Sequence, residues 1–285
     1  MTADAVRVGA DWLALREPAD AAARAAGLVA PLRAWAPAAG PWVIHDLGCG
    51  TGGMGRWLAG RLPGRQHWIG HDRDPDLLEI AAASRPGPAA DGAPVSVEVR
   101  QSDITELGPE DVAGATVITA SALLDLLTAA ELGGLIALGA ATGCPMLLTL
   151  SVVGRVDLTP ADPLDARMAA AFDAHQRRPT TRGPLLGPDA VAFAADGFGR
   201  RGADVLVRPS PWRLGAAQAG LAAEWLAGWA GAAAEQDAGL AADAAAYARR
   251  RLAQVRAGAL AVTVHHADLL ALPRHPPPGP GAVPC

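Results

Sequence analysis

The chain has 285 residues, 51% of them apolar, with 24 basic against 29 acidic residues and a formal net charge of −5. That length and apolar content support one large α/β domain with a sizeable core, or two small ones, and we read one. All of the basic residues are arginine and they are scattered, which argues against nucleic acid as the main partner and excludes a phosphate-binding P-loop, whose motif requires lysine.

In chain order, Arg16, Asp20 and Arg24 are spaced four apart, as an ion-pair ladder on one helix requires. Val43 to Gly53 follows as an apolar strand, an acidic residue, a glycine-rich turn and the start of a helix. In that helix Met54, Trp57, Leu58 and Leu62 fall at helical spacing and Gly64 closes it. His67 to His71 reads as a second strand ending at Asp72. Asp74-Pro75 then opens a helix with an N-cap and a proline at its first position. Val95, Val97 and Val99 alternate in a third strand, and Thr116 to Ser121 forms a fourth. Thr128 and Glu131 match a capping box for a helix to about Gly139, before a fifth strand from Pro145 to Ser151.

These five alternations imply a doubly wound, mostly parallel sheet with helices on both faces. Beyond it the pattern predicts a helix over Pro163 to His175, a strand over Ala203 to Val207, helices from Ala216 and Asp237, and an apolar run from Leu260 to His265. The segment Pro273 to Cys285, with Pro276-Pro277-Pro278-Gly279-Pro280, cannot form a helix or central strand and is expected to be a disordered tail at 273–285. Cys49, Cys144 and Cys285 are far apart with no paired spacing, so neither a disulfide framework nor a metal site is expected. No run approaches a membrane span and charged residues precede the first apolar run, so the expectation is a soluble, cytoplasmic protein without a membrane partner.

The chemistry concentrates at Asp46-Leu47-Gly48-Cys49-Gly50-Thr51-Gly52-Gly53. Glycines let the backbone turn sharply and approach a ligand closely, and the amides of the following helix start can point at it. Gly48, Gly50 and Gly53 also satisfy the dinucleotide fingerprint, but Asp46 at the strand end repels a pyrophosphate and attracts an ammonium. This octapeptide resembles the first motif of the class I S-adenosylmethionine-dependent methyltransferases. The resemblance covers roughly Val43 to Ser151 and implies a seven-stranded Rossmann-like sheet whose last strand is antiparallel. It implies a methyltransferase domain over 1–272, made of N-terminal cap helices (1–40), a cofactor-binding core (41–151) and an insertion with the C-terminal part (152–272).

It further implies that Asp46, Gly48, Cys49, Gly50 and Gly52 cradle the methionine part of S-adenosyl-L-methionine. Asp72 would hold the ribose, Arg73 would flank the adenine where an apolar residue is more usual, and Asp103 and Ile104 would meet the adenine amine and ring. An N-terminal helix covers the cofactor in many relatives, which would bring Arg16 toward its carboxylate.

A methyl acceptor should approach over the carboxyl ends of the first, fourth and fifth strands, beside Thr119, Ala120, Ser121 and Asp125. Asp125 interrupts an apolar run and reads either as a group that orients an amine or takes a proton, or as a solvent-facing helix residue. His175 shares a stripe with Leu164, Met168 and Phe172; it reads as a core imidazole or as a base at a pocket wall. His45 reads as structural. Trp212 is a candidate wall of the substrate pocket, whereas Trp225 and Trp229, four apart, read as helix packing. Arg177, Arg178 and Arg182 lie in a long connection of the kind that forms lids, as anion ligands or as a solvated helix end. The function expected is methyl transfer to a small-molecule acceptor by in-line displacement. An NAD(P)-dependent oxidoreductase and a non-catalytic cofactor-binding accessory subunit are the alternatives.

Overall fold

In the computed structural model, which describes residues 8–35 and 41–274, five strands lie parallel in the order β3-β2-β1-β4-β5. They are β1 (Trp42–Leu47), β2 (Gln66–Asp72), β3 (Val95–Gln101), β4 (Val117–Ser121) and β5 (Met146–Thr159). β1, β2, β4 and the first half of β5 are nearly continuous buried runs, as strands covered on both faces must be, while β3 alternates at the sheet edge. The helices that cover them are α1 (Ala10–Ala23), α2 (Val29–Trp35), α3 (Gly53–Leu58), α4 (Pro75–Ala83) and α5 (Ala129–Thr142). Asp74 caps α4 by accepting from the Asp76 amide, with Pro75 at the first position. Thr128 and Glu131 form the capping box of α5, which ends at Gly143 in a left-handed conformation.

The rest of the chain adds α6 (Asp165–Gln176), a short hairpin of β6 (Pro179–Thr180) and β7 (Gly183–Pro184), α7 (Ala190–Arg200), β8 (Asp204–Pro209), β9 (Trp212–Leu214), α8 (Ala219–Gln236), α9 (Ala241–Arg256) and β10 (Ala261–Leu272). β10 runs antiparallel between β5 and β8, completing the seven-stranded order β3-β2-β1-β4-β5-β10-β8 with its one reversed strand. Strand order reverses between β1 and β4, the place where open α/β sheets bind ligands. The proline-rich run from Pro276 and Cys285 lie outside the described residues, and no helix among those described is long and apolar enough to cross a membrane.

Two differences from the sequence reading matter for the site. β5 does not stop at Ser151 but continues to Thr159, with Val152, Val156 and Leu158 turned inward and Val153, Arg155 and Asp157 exposed. This extension pairs with the first half of β10, which in turn pairs with β9, an eighth strand absent from the expected seven. Together they make a platform under α6, α8 and α9, with its own core around Met168, Trp212, Leu226, Trp229 and Tyr247. Buried Arg251 of α9 donates to both oxygens of Asp165 in α6 at 2.5 and 2.6 Å, and Tyr247 donates to the same carboxylate at 2.6 Å.

β10 also runs past His265 to Leu272, through a buried carboxylate. Asp268 accepts from the Ala25 amide at 2.7 Å, the Leu150 amide at 2.8 Å and the Ser210 hydroxyl at 2.5 Å. It thereby joins the chain after α1, a bulge in β5 and the link from β8 to β9. Burial raises its pKa against the pull of those bonds and of Arg24. Replacing Asp268 by alanine strands two buried donors, Leu150 and Ser210, and the half-buried Ala25 amide, so Asp268→Ala should lower unfolding free energy by about 3 kcal/mol or more. Urea unfolding should show a lower midpoint, and an unchanged midpoint would show that the three segments hold without this carboxylate.

Candidate active site

The glycine loop follows β1 with Gly48, Gly50 and Gly52 all at positive φ, which side-chain-bearing residues rarely adopt. Close packing fixes it from beneath. The Cys49 amide donates to the His71 carbonyl, and a Cβ on Gly70 would lie 2.8 Å from the Cys49 sulfur, so β2 needs glycine there to admit that thiol. Above the loop is a cavity of about 720 Å³, bounded by the carboxyl ends of β1, β2 and β4, the segment after β3, and the inner face of α1.

Asp46, at the end of β1, is buried on the cavity wall and accepts from Thr119 of β4 at 2.7 Å. Burial raises its pKa to about 7, the Thr119 bond and Arg24 pulling it down and Asp72 pushing it up. Asp72, at the end of β2, takes the Gly50 amide at 2.8 Å on one oxygen and the Asp74 amide at 3.0 Å on the other, tying the loop to the strand beside it. Asp103 sits exposed at the rim. Desolvation opposes ionisation there, but the Thr105 hydroxyl and amide, at 2.7 and 2.9 Å, hold its pKa below the usual carboxylate value. Cys49, Arg73, Ile104 and Ser121 also line this cavity, and burial pushes the Cys49 thiol up, well away from the thiolate.

Two sequence expectations need correction. Gly52 does not line the cavity: it is the left-handed residue that starts α3, and its Cα faces Arg56 and Ala81 instead. His175 lines neither this cavity nor the chamber beside it. It is half-buried at the end of α6, 3.4 Å from Glu235 of α8, and desolvation together with Arg178 lowers its pKa. The stripe drawn from Leu164 through Met168 ends in the helix interface before it reaches His175.

α1, expected to cover the site with Arg16, also supplies Leu13 and Glu17, which the sequence reading missed. Leu13, Arg16, Glu17 and Asp20 recur on one face, and all four line the cavity. Glu17 clamps Arg56 of α3 with two bonds of 2.6 Å, while Arg56 holds the Thr51 carbonyl, so α1 is fastened directly to the glycine loop. Arg16 and Asp20 do pair, at 2.9 and 3.2 Å, but Arg24 leaves the ladder because the helix ends at Ala23 and its backbone turns to ψ 134°. Its side chain enters the cavity wall, 6% exposed, where one terminal nitrogen donates to Ser121 at 3.1 Å. The other terminal nitrogen and Nε are buried without a partner among the described residues. Arg178 and Arg182 face the same cavity from beside and within the β6–β7 hairpin, Arg182 paired with Glu131 at 2.5 Å, whereas Arg177 pairs with Asp189 away from it.

Beneath the loop, His45 stacks on His71 with ring nitrogens 2.9 Å apart, and His71 reaches Ser102. Burial first, and then the neighbouring His71, pulls His45 to about 4.

A second chamber of about 160 Å³ adjoins the cavity, with Arg16 and Ala122 in both walls. Asp125 and Trp212 lie here and not in the larger cavity. Trp212 is 3% exposed, donates to Asp20 at 2.9 Å, and has the Arg16 guanidinium 4.9 Å from its ring centre. Trp225 also faces this chamber while stacking on Trp229, so the pair is not packing alone. Among the described residues no cluster of three or more His, Cys, Asp or Glu side chains could hold a metal ion.

Residues 44–141 match a family model described as a methyltransferase domain. Among solved structures the chain is similar to a cyclopropane synthase from Mycobacterium tuberculosis, at 14% identity over 86% of this chain and 83% of that one, with a TM-score of 0.45. It is similar to a cyclopropane-fatty-acyl-phospholipid synthase-like protein from Lactobacillus casei, at 17% identity over 94% and 96%, TM-score 0.48. A third is an O-methyltransferase family protein from Burkholderia thailandensis, at 18% identity over 64% and 51%, TM-score 0.42. No curated protein matches the chain.

Proposed function

We propose that the chain is a class I S-adenosylmethionine-dependent methyltransferase, a reading its methyltransferase-domain match at residues 44–141 supports, and that it methylates a small molecule admitted beside α1, over β4 and β5. The observation that carries this is the pairing of Asp46 with the unsatisfied Arg24 on one cavity wall. An amino acid moiety presents an ammonium and a carboxylate on one carbon, and the wall offers a carboxylate and a guanidinium with two unspent, buried nitrogens.

On this reading Arg24, not Arg16, takes the carboxylate of the methionine part, because Arg16 is already committed to Asp20 and Trp212. Asp46 takes the ammonium and Asp72 the ribose. The rim formed by Arg73, Asp103 and Ile104 takes the adenine. When bound, S-adenosylmethionine supplies a methyl carbon on a cationic sulfur, so alignment with an acceptor lone pair is most of what the protein must provide. α1, fastened to the loop by Glu17 and Arg56, keeps water from that contact. A dinucleotide fits less well, since its pyrophosphate would meet Asp46 beside the loop.

Calorimetry should show binding of S-adenosylhomocysteine and none of NAD; the reverse would overturn the reading. Labelled donor supplied with a fractionated small-molecule extract should yield a methylated product, and cofactor binding with no product in any fraction would leave an accessory subunit.

Arg24→Leu should weaken S-adenosylhomocysteine about tenfold or more, the worth of a charge-assisted pair. It should leave 5′-methylthioadenosine, which lacks the amino acid, unchanged. Asp72→Ala should weaken both. Equal losses of the two ligands on Arg24→Leu would place Arg24 elsewhere.

Asp46 has its pKa raised to about 7, so its charged form is scarce at pH 6 and dominant at pH 8. Facing it are Thr119, Arg24 and Asp72, while the buried imidazoles of His45 and His266, at about 4 and about 3, stay neutral across that range. Affinity for S-adenosylhomocysteine should therefore rise about tenfold from pH 6 to pH 8. Asp46→Asn should flatten the dependence, and a flat wild-type profile would contradict the role given to Asp46.

A further inference from the structure

The chamber beside the cofactor cavity has a composition that selects its occupant. Its aromatic wall is Trp12, Phe172, Trp212 and Trp225. Its volume of about 160 Å³ is close to that of an apolar cavity able to hold a single benzene ring, ~150 Å³. Set into that wall are the carboxylates of Asp125 and Asp173, neither hydrogen-bonded to or ion-paired with another side chain among the described residues, and both with pKa raised by burial. The Gln176 side-chain amide oxygen is buried there with no partner among the described residues. So is Nδ1 of His266, a side chain 5% exposed and packed 5.2 Å from the Trp212 ring centre.

The cations of the same wall are already spent. Arg16 is held by Asp20, and Arg155 and His265 both pair with Asp157 on the outer side of β5. Two carboxylates and an unsatisfied carbonyl therefore face a ligand, and the cations that pull on them, Arg16 on Asp125 and Arg177 on Asp173, are already bound to Asp20 and Asp189. Such a wall repels carboxylates and phosphates and leaves a lone hydroxyl short of donors, whereas an ammonium offers two or three. Indole and phenyl faces add attraction for the same charge.

Two non-glycine residues with positive φ, Ala122 at 53° and Leu150 at 58°, both lie in this wall. Strained backbone of this kind persists where the surrounding structure imposes it, and it clusters at functional sites. Here Ala122 turns the chain directly after β4 and Leu150 sits in the β5 bulge, where β5 and β10 shift register and Asp268 holds the Leu150 amide.

We propose that this chamber binds the acceptor, and that the acceptor is a small primary or secondary amine on a ring-sized hydrocarbon, methylated on nitrogen. This deepens the methyltransferase reading and rests on it. Asp125 is the group assigned to the nitrogen. As a carboxylate it receives the proton that an ammonium must shed. The freed lone pair then forms the N–C bond while the C–S bond breaks with its electrons passing to sulfur, and one proton per turnover leaves through Asp125. Asp173 and Gln176 orient the remaining N–H groups.

Benzylamine, benzyl alcohol and benzoate serve as probes of equal size, titrated with and without S-adenosylhomocysteine. Benzylamine should bind at least about tenfold tighter than either of the others. Asp125→Asn should reduce that preference to about twofold while leaving S-adenosylhomocysteine affinity, which also reports folding, unchanged. If Asp125→Asn fails to fold, Trp225→Ala should weaken benzylamine and spare S-adenosylhomocysteine. Equal or tighter binding of the alcohol or the acid, no measurable benzylamine binding, or a preference untouched by Asp125→Asn, would overturn the proposal. Amine preference without any S-adenosylhomocysteine binding would instead sink the cofactor reading and leave the chamber's chemistry standing.

Discussion

The buried carboxylate of Asp268 is the constraint on which the rest of the site depends. A charged or partly charged group deep in a sheet is costly unless its oxygens are hydrogen-bonded, and here three donors from three distant segments satisfy it. The amide of Ala25 fixes the chain directly after Arg24, so the guanidinium is delivered to the cavity wall by its neighbour's bond. The amide of Leu150 fixes a bulge in β5 at the point where the strand leaves the parallel sheet. The Ser210 hydroxyl fixes the turn that brings Trp212 beside Asp20. Donor geometry at one side chain thus sets the positions of a cation in the wall of the larger cavity, a strained strand and an aromatic wall of the smaller chamber.

The same low-dielectric interior explains why four carboxylates, Asp46, Asp125, Asp173 and Asp268, all have raised pKa values, with burial as the leading cause. They are raised for one reason but answered differently. Asp268 is answered by hydrogen bonds within the fold. Asp46 has one bond, from Thr119, and the nearby Arg24. Asp125 has only the hydrogen bond of its own backbone amide and the pull of Arg16, which Asp20 already neutralises. The gradient from satisfied to unsatisfied runs from the scaffold to the two chambers, as it must if the remaining attraction is to be realised by ligands.

Much of the fold was legible because local chemistry and global pattern agree over residues 43–151. The glycine loop, the Asp74-Pro75 start and the Thr128–Glu131 box each encode one backbone geometry. The platform beyond was less legible. Val152 to Leu158 alternates with exposed Val153, Arg155 and Asp157, so the apolar run that marks a buried strand ends long before the strand does. Asp268 reads locally as the end of a strand, since nothing near it in sequence shows that donors more than 50 residues away will satisfy it. Arg24 was read as the last rung of a ladder, because helical spacing does not reveal that the helix stops one residue earlier. Gly52, carried over from the family motif, starts α3 instead of facing the cavity, and His175, placed by helical spacing, meets the α6–α8 contact: a motif or a spacing does not say what the side it names will meet.

The wall shared by the two chambers carries the final constraint. Arg16 and Ala122 line both, so any group passed from the larger cavity to the smaller one crosses between them. A mobile arginine at that point would compete with a cationic donor and a cationic acceptor alike. Asp20 removes that conflict by neutralising Arg16, and the Trp212 ring lies beneath its guanidinium, 4.9 Å from ring centre to Cζ. Because Asp20 also receives the Trp212 indole, the clamp is a three-membered unit whose members lie on α1 and β9. β9 exists only because β5 and β10 outgrow the parallel sheet. The extension of the fold and the chemistry of the gap are therefore one structural decision: without the platform there is no Trp212 to pin Arg16 and no aromatic chamber behind it.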